Sequence, residues 1–208
     1  MLGGRRIVLG VTGGIAAYKA VLLCRLLVDA GAHVIPVMTE SAQKFVGRAT
    51  FDALASEPVR TSIFDDVDPI PHTTLGQTAD LIVVAPATAR CIGSYASGIS
   101  DDLLTAILVA TRAPVVVCPA MHTEMWEHPA IQENLKTLVD RGVIVVPAEE
   151  GRLAGGDAGA GRLAAPETIF DAVKGVLIAG DLQGRKVLVT AGGTREAIDP
   201  VRYVGNRS

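Results

Sequence analysis

The sequence of 208 residues is poor in aromatic residues and has no large excess of either charge. Its formal net charge at pH 7 is −3, and its lysines and arginines are scattered rather than gathered in a stripe. This pattern does not favour a nucleic-acid-binding surface. Apolar runs such as LIVVAPA are far too short to span a bilayer, so we expect no membrane-spanning segment.

Cysteine is also scarce. Cys24, Cys91 and Cys118 show no CxxC spacing, and the first residues lack the apolar core and cleavage site of a secretory signal. An odd number of cysteines without such a signal is typical of a reducing compartment. We therefore expect a cytoplasmic protein that has free thiols and no metal site.

Short apolar runs are abundant, and they alternate with helical patterns. Runs that are continuously apolar predict strands buried on both faces; they lie at residues 5–11, 32–38, 80–86, 113–119 and 142–147. Amphipathic segments predict helices at residues 15–31, 103–111, 128–142 and 165–180. The alternation predicts a three-layer α/β fold, doubly wound and Rossmann-like (flavodoxin-like), with a mostly parallel sheet.

The pattern changes after Gly180. RKVLVT predicts a new strand, and the following TAGG echoes the TGG near the start of the chain. One strand and a loop cannot form a domain. We therefore expect one domain over residues 1–180, and in residues 181–208 a linker and the beginning of a second α/β domain.

Ligands of doubly wound sheets bind beyond the carboxyl ends of the strands, so the loops there are candidate sites. In VTGGIAAYK, Gly13 and Gly14 run directly into a helix, whose first amides favour an anion. The stretch matches neither GxGxxG nor a GK[ST] frame, so a simple tight turn is an equal alternative. After the second strand, Thr39 could reach a phosphate, although capping a helix is the commoner role.

The loop after the third strand is rich in small residues. Ala87, Thr88 and Ala89 would let a flat ligand approach the backbone, or would simply begin a closely packed helix. Asp101 and Asp102 fit the first turn of the next helix, where they complement its dipole. We do not interpret this acidic pair as catalytic.

The loop after the fourth strand, PAMHTEMW, holds two methionines and the single tryptophan. Its position fits a substrate pocket, although an apolar core cluster is the alternative. His122 in this loop can act near neutral pH as acid, base or carboxylate partner. His72 follows two prolines ahead of a short turn; a lone histidine there is usually a surface or capping residue.

Several motifs together resemble the flavin-containing cysteine decarboxylases, and the phosphopantothenoylcysteine decarboxylases most specifically. TGGIAAYK, MTESA, HTTLGQ, APATA, SGISDDLL and PAMHTEMW occur in one order across residues 7–147. The tail VTAGGTREAIDPVRYVGNRS resembles the opening of phosphopantothenoylcysteine synthetase. A flavin prenyltransferase of the same fold is an alternative from another enzyme class. Both PAMHTEMW, which is of the cysteine-decarboxylase type, and the synthetase-like tail disfavour this alternative.

The resemblance implies non-covalent binding of FMN. Residues that match the first FMN loop, the phosphate-binding hydroxyl and the segments lining the flavin are Gly13, Gly14, Ile15, Thr39, Ala85, Pro86, Ala87, Thr88, Ala89 and Ala120. The resemblance also implies a trimer with sites between its subunits, and an assembly of four trimers in bacterial members.

The implied reaction removes CO2 from the cysteine end of 4′-phospho-N-pantothenoylcysteine and yields 4′-phosphopantetheine for coenzyme A biosynthesis. FMN takes a hydride from the thiol-bearing carbon, and the thioaldehyde so formed can hold the electrons that CO2 leaves behind. An ene-thiolate results, which is then protonated and given the hydride back. His72 matches the family's active-site histidine and would transfer a proton or polarise the thiol. The implied substrate-binding residues are His122, Met125, Gly155 and Asp157.

Two departures from the family pattern concern the chemistry. His122 stands where the family has an asparagine that holds the substrate carboxylate, and an imidazolium could replace it with a charge-assisted hydrogen bond. Gly155 stands where the family has the cysteine that protonates the ene-thiolate. Cys118, Asp157 or His122 could protonate instead. Alternatively the reaction could stop at the ene-thiol, or the chain could be a non-catalytic, flavin-binding or regulatory homologue.

Gly155 belongs to the glycine-rich stretch EEGRLAGGDAGAGRLAAP, residues 149–166. This stretch has no apolar periodicity and no phosphate-binding lysine. The resemblance places it where the family has a mobile flap over bound substrate. We expect its glycines to act as hinges for closure.

Overall fold

The computed structural model describes residues 2–64, 69–156, 158–178, 186, 188–189 and 195–205. The chain divides into two compact units, Met1–Ile178 and Ala179–Ser208. The five main strands of the first unit are parallel and form one sheet in the order β2-β1-β3-β4-β5. They are β1 (Arg6–Val11), β2 (His33–Met38), β3 (Leu81–Ala87), β4 (Val115–Pro119) and β5 (Ile144–Val145).

Helices cover both faces of this sheet. They are α1 (Ala17–Asp29), α2 (Arg48–Asp52), α3 (Pro71–Thr78), α4 (Ala89–Ser97), α5 (Leu103–Ala110), α6 (Thr123–Trp126), α7 (Pro129–Asp140) and α8 (Pro166–Leu177), with a 3₁₀ turn at Ala42–Lys44. Two apolar cores result. Ile7 and Leu9 of β1 point into the core under α1 and α8, whereas Val8 points into the core under α4, α5 and α7. The predicted three-layer, doubly wound fold is confirmed.

Strand order reverses between β1 and β3, and one hydroxyl joins the two strand ends there. Thr12 donates from Oγ1 to the carbonyl of Pro86 at 2.7 Å and accepts from the amide of Thr88 at 3.0 Å. Thr12 is buried, so this bridge is shielded from water. The crevice at such a reversal is where doubly wound folds bind their ligands.

Two segments differ from the sequence-based expectations. His72 lies on helix α3 rather than ahead of a short turn. Most of the glycine-rich stretch forms an antiparallel hairpin of β6 (Glu149–Arg152) and β7 (Ala158–Arg162). Neither segment carries the apolar alternation by which strands and helices are usually found.

The second unit contains a hairpin of β8 (Arg195–Ala197) and β9 (Tyr203–Gly205). The carboxylate of Asp199 accepts the amides of Val201 and Arg202 and so stabilises its turn. Residues 186, 188 and 189 are not in a strand, and the rest of the predicted RKVLVT strand lies outside the described residues. Across the described part of the chain, no helix is long and apolar enough to cross a membrane.

The acidic pair precedes helix α5 rather than lying in its first turn. Asp102 is the N-cap: its carboxylate accepts the amide of Thr105 at 2.8 Å, and the hydroxyl of Thr105 accepts the amide of Asp102 at 3.2 Å. Asp101 instead pairs with Arg90 at 2.6 Å on the surface. Both roles are structural, as expected.

This difference predicts unequal effects of two neighbouring substitutions. Asp102→Ala is expected to lower the free energy of unfolding by about 1 kcal/mol because the capping box is lost. Asp101→Ala is the matched control and removes only an exposed ion pair, worth less than about 1 kcal/mol. Chemical denaturation of both variants measures the difference. Equal losses would show that the capping box contributes nothing.

Candidate active site

A cavity of about 560 Å³ opens at the carboxyl edge of the sheet beside the β1–β3 reversal. Its volume is in the range typical of small-molecule sites. Its walls come from the β1–α1 turn, the starts of α1 and α4, the loop after β4, and the β6–β7 hairpin. The lining residues are Gly13, Gly14, Ile15, Ala16, Tyr18, Lys19, Thr88, Ala89, Ala120, Met121, His122, Met125, Arg152, Leu153, Ala154, Gly161, Arg162 and Leu163.

The two glycines of the β1–α1 turn have different reasons to be glycine. A Cβ on Gly13 would lie 2.4 Å from Cβ and Oγ of Ser41 and 2.8 Å from its backbone carbon. A Cβ on Gly14 would meet only the Thr88 methyl group, at 3.8 Å. Gly13 therefore permits close packing of two loops, whereas Gly14 leaves space on the cavity wall.

These surroundings predict opposite effects on stability. Gly13→Ala is expected to lower the free energy of unfolding by about 1–3 kcal/mol, because the new methyl group collides with the Ser41 backbone. Gly14→Ala, its matched control, should stay within about 0.5 kcal/mol of the unmodified protein. Thermal unfolding of both variants without added ligand measures this. Equal stability of the two would contradict the packing role of Gly13.

The turn also presents backbone donors. Among the described residues, none accepts a hydrogen bond from the amides of Gly13, Gly14, Ile15 or Ala16. These amides lie immediately before the 13-residue helix α1, which begins at Ala17. Free amides at the positive end of a helix dipole form a ready site for an anion such as a phosphate.

Thr39 serves as a cap and does not line the cavity. Its Oγ1 accepts the amide of Ala42 at 3.3 Å and lies 3.1 Å from Oγ of Ser41. The residue borders a smaller hollow of about 240 Å³, together with Asp101 and Asp102. Ser41, which touches Gly13, links this capped turn to the cavity wall.

The segment 85–89 is divided between core and cavity. Ala85 and Ala87 are fully buried, Pro86 is buried between them, and none of the three lines the cavity. Thr88 and Ala89, at the beginning of α4, do line it, as does Ala120 after β4. Because these side chains are small, the wall they form is nearly flat.

His122 is the cavity-lining histidine. It is the N-cap residue of α6, its side chain is 45 % exposed, and its Nδ1 lies 3.4 Å from Oε2 of Glu124. Met121 and Met125 line the cavity beside it. An imidazole next to a carboxylate and facing a cavity can hold an anion or exchange a proton with a ligand.

His72 does not join this group. It is half-buried in α3 and is not among the lining residues, so the fold of the chain does not bring the two histidines to this cavity. Its Nδ1 is buried and has no hydrogen-bond partner within the described part of the chain.

The hairpin is attached to the loop after β4 by its second strand. The amide of Met121 donates to the carbonyl of Gly161 at 2.9 Å, and Oγ1 of Thr123 donates to the carbonyl of Ala160 at 2.8 Å. A Cβ on Gly159 would lie 2.2 Å from Oγ1 of Thr123, and one on Gly161 would lie 2.3 Å from the Met121 carbonyl oxygen. These two glycines are therefore needed for close packing.

Of the expected substrate residues in this stretch, the structure describes Gly155, which lies between the two strands of the hairpin. Gly155 is exposed and follows Ala154, which lines the cavity. Asp157 lies outside the described residues. The proposal that the tip closes over a ligand remains a prediction.

The described cavity wall contains no thiol. Cys24, Cys91 and Cys118 are all buried. Burial raises the pKa of Cys24 to about 11 and that of Cys91 to about 12, and it raises the pKa of Cys118 as well. Cys118 is one of the candidate proton donors predicted from the sequence. It lies in β4 and does not line the cavity.

Three cationic residues that line the cavity were not among the site residues predicted from the sequence. Lys19 is only 8 % exposed, and its Nζ donates to the carbonyl of Leu163 at 2.7 Å. Arg152 and Arg162 lie on the two strands of the hairpin. The sequence feature that could have indicated the two arginines is their presence at both ends of the glycine-rich segment RLAGGDAGAGR. Among the described residues, no three His, Cys, Asp or Glu side chains could hold a metal ion.

Comparison with known proteins agrees with this architecture. The Flavoprotein family profile matches residues 1–178, and the profile of the DNA/pantothenate metabolism flavoprotein C-terminal domain matches residues 182–208. The coenzyme A biosynthesis bifunctional protein CoaBC of Mycobacterium bovis is 54 % identical over 98 % of this chain. That alignment covers 50 % of the relative, so the chain spans about half the length of the curated relatives it matches.

Two solved structures share the fold and more than 30 % of the residues. A cysteine-to-serine mutant of PPC decarboxylase in complex with pantothenoylaminoethenethiol is 32 % identical, with a TM-score of 0.73 over 82 % of this chain and 97 % of that one. The FMN-binding protein AtHal3 is 34 % identical, with a TM-score of 0.70 over 82 % and 95 % of the two chains. The chain therefore belongs to the Flavoprotein family, through its residues 1–178.

Proposed function

We propose that this chain binds FMN and decarboxylates 4′-phospho-N-pantothenoylcysteine to 4′-phosphopantetheine. The observation that carries the proposal is the cavity itself, which combines free helix-start amides, a flat wall of small side chains and His122. The related proteins support it, because they include CoaBC, PPC decarboxylase and an FMN-binding protein.

The residues of the cavity fit FMN. The free amides of Gly13 to Ala16 would hold the phosphate at the beginning of α1. Thr88, Ala89 and Ala120 would lie against the flat ring system, since no large side chain stands in the way. When bound, FMN supplies the acceptor and later the donor of the hydride that this decarboxylation requires.

The protein's own part in the reaction is positioning and proton transfer. The imidazole of His122 holds the substrate carboxylate, and the carboxylate of Glu124, 3.4 Å from its Nδ1, orients the ring. Once CO2 has left, His122 gives a proton to the carbon that carried it. Met121 and Met125 form an apolar wall beside this position.

We assign His122 as the proton donor to this carbon because Gly155 has no side chain and the described cavity wall has no thiol. The same observation favours a second candidate, a reaction that stops at the ene-thiol. The solved PPC decarboxylase with an aminoethenethiol is a mutant that lacks a cysteine, which agrees with that candidate. The presence of a titratable residue at position 122 favours the complete reaction.

The assembly belongs to the same proposal. A homotrimer, four of which form a dodecamer, would let a neighbouring subunit bring His72 to the cavity that it does not line within its own subunit. His72 would then polarise the substrate thiol. The exposed Ile15 and Tyr18 beside the cavity supply apolar surface for such an interface. We place the enzyme in the cytoplasm, with residues 182–208 opening a ligase domain.

Flavin binding and CO2 release test the proposal together. The purified chain, reconstituted with FMN, should show flavin absorbance after gel filtration and release CO2 from 4′-phospho-N-pantothenoylcysteine. His72→Asn should retain the flavin and lose turnover. A colourless protein that cannot be reconstituted would contradict the flavin assignment. Flavin binding without CO2 release would support a non-catalytic homologue.

A further inference from the structure

The described wall of the cavity is charged with one sign. Lys19, Arg152 and Arg162 line it, and no aspartate or glutamate does. Burial and the nearby charge of Arg162 lower the pKa of Lys19, although Glu149 and Glu167 act in the opposite direction. Lys19 and Arg162 repel each other across the cavity wall, and an anion in the cavity would relieve that repulsion.

The hairpin holds its two arginines over the cavity. Arg162 lies across the neighbouring strand, because a Cβ on Gly151 would be 2.9 Å from its Nη1 and 3.2 Å from its Cδ. A larger residue at 151 would displace the Arg162 side chain from this position. The base of the hairpin is fixed, since Oε1 of Glu149 accepts the amide of Ala165 at 2.9 Å and Lys19 holds Leu163.

Neither guanidinium has a side-chain or backbone partner within the described part of the chain. No residue there accepts a hydrogen bond from the guanidinium of Arg152 or Arg162, and neither side chain forms an ion pair. Two unpaired guanidiniums at a cavity provide planar, multidentate donors that match a phosphate or a carboxylate.

We propose that Arg152 and Arg162 bind the phosphate monoester of the substrate, and so form a second anion subsite distinct from that of the cofactor. This inference rests on the proposed function. The two sets of donors suit different ligands. The backbone amides at the beginning of α1 are fixed in the fold, as a resident cofactor requires, whereas the arginines lie on an exposed hairpin suited to a ligand that exchanges at every turnover.

The subsite predicts a preference for phosphorylated substrate. FMN-loaded protein should use 4′-phospho-N-pantothenoylcysteine with kcat/KM at least about tenfold above that for N-pantothenoylcysteine, because charge-assisted bonds to phosphate are lost with the latter. Arg152→Gln and Arg162→Gln should each remove most of this preference by raising KM for the phosphorylated substrate. Arg152→Lys should retain part of it, since the charge remains and the planar fork is lost.

The experiment measures three quantities for each variant: kcat/KM with both substrates, their dissociation constants by calorimetry, and the dissociation constant of FMN. Arg112→Gln is the matched control, because Arg112 is exposed and does not line the cavity. It should leave all three unchanged. Expected for Arg152→Gln is a selective loss of binding of the phosphorylated substrate, with FMN affinity within about twofold of the unmodified protein.

Two results would overturn the subsite. One is an equal loss for both substrates, which would assign the arginines to another part of the ligand. The other is weaker FMN binding with the substrate preference intact, which would assign them to the cofactor phosphate. If neither substrate is decarboxylated but calorimetry shows phosphate-dependent binding that requires Arg152, the subsite stands and the proposed reaction fails.

Discussion

His122→Asn is expected to change the product of the reaction from the saturated thiol to the ene-thiol. The asparagine amide can still hold the substrate carboxylate, but it cannot deliver a proton to the carbon that CO2 leaves. Formation of the saturated thiol should therefore fall by about 10²- to 10⁴-fold, the range typical of a lost general acid. Mass spectrometry of timed reactions separates the two products, since the ene-thiol is two hydrogens lighter.

Two further variants make this result specific. His128→Asn is the matched control, because His128 caps α7 without lining the cavity and asparagine can also cap. It should leave the product unchanged. Introducing Gly155→Cys into His122→Asn should restore part of the saturated thiol by returning a proton donor to the hairpin tip. Unchanged product from His122→Asn would remove His122 from the protonation step.

The carboxylate-binding role of His122 has a separate pH test. An imidazole can carry a charge and an asparagine amide cannot, so the dependence of substrate affinity on pH between about pH 5 and about pH 8 should differ between the unmodified protein and His122→Asn. His122→Asn should show a flatter profile. Identical profiles for both proteins would mean that residue 122 does not hold the carboxylate through its charge.

Gly161→Ala is expected to lower both stability and activity strongly. Gly161 has a φ of +118°, which an alanine adopts only under strain, and its new Cβ would lie 2.3 Å from the Met121 carbonyl oxygen. Strain and collision together should cost about 2–4 kcal/mol of unfolding free energy. Because the hairpin then detaches from the loop that carries His122, kcat/KM should fall at least about tenfold.

Gly142→Ala separates strain from collision. Gly142 has a φ of +89° but open space around its Cα, so alanine there should cost only about 1–2 kcal/mol and leave kcat/KM unchanged. Thermal unfolding and initial rates of both variants give the comparison. Equal effects of the two substitutions would show that contact between hairpin and loop is unimportant.

The central sheet was predictable because its strands are buried on both faces. Ile7, Val8 and Leu9 are all fully buried, which requires a continuous apolar run and makes the strand visible in the sequence. Helix α3 lacks such a signal, since PHTTLGQT buries only Pro71, Leu75 and Gly76. The β6–β7 hairpin also shows no strand pattern in the sequence, because its pairing depends on glycines and backbone contacts rather than on apolar alternation.

The site was predictable in part for a similar reason. Loops that follow parallel strands meet at one edge, so the turn at Gly13 and Gly14, the residues Thr88 and Ala89, and His122 converge as expected. Which residue of a strand end faces the cavity depends on where the strand stops. β3 continues through Ala87, which keeps 85–87 in the core. Position along the chain likewise could not show that His72 lies away from this cavity.

Proton donation by His122 is tested most directly by the mass of the product that the FMN-loaded, unmodified chain forms from 4′-phospho-N-pantothenoylcysteine. We expect the mass of 4′-phosphopantetheine, the substrate less one CO2, because His122 protonates the carbon in place of the missing thiol. Accumulation of the species two hydrogens lighter, or unchanged substrate alone, would contradict it.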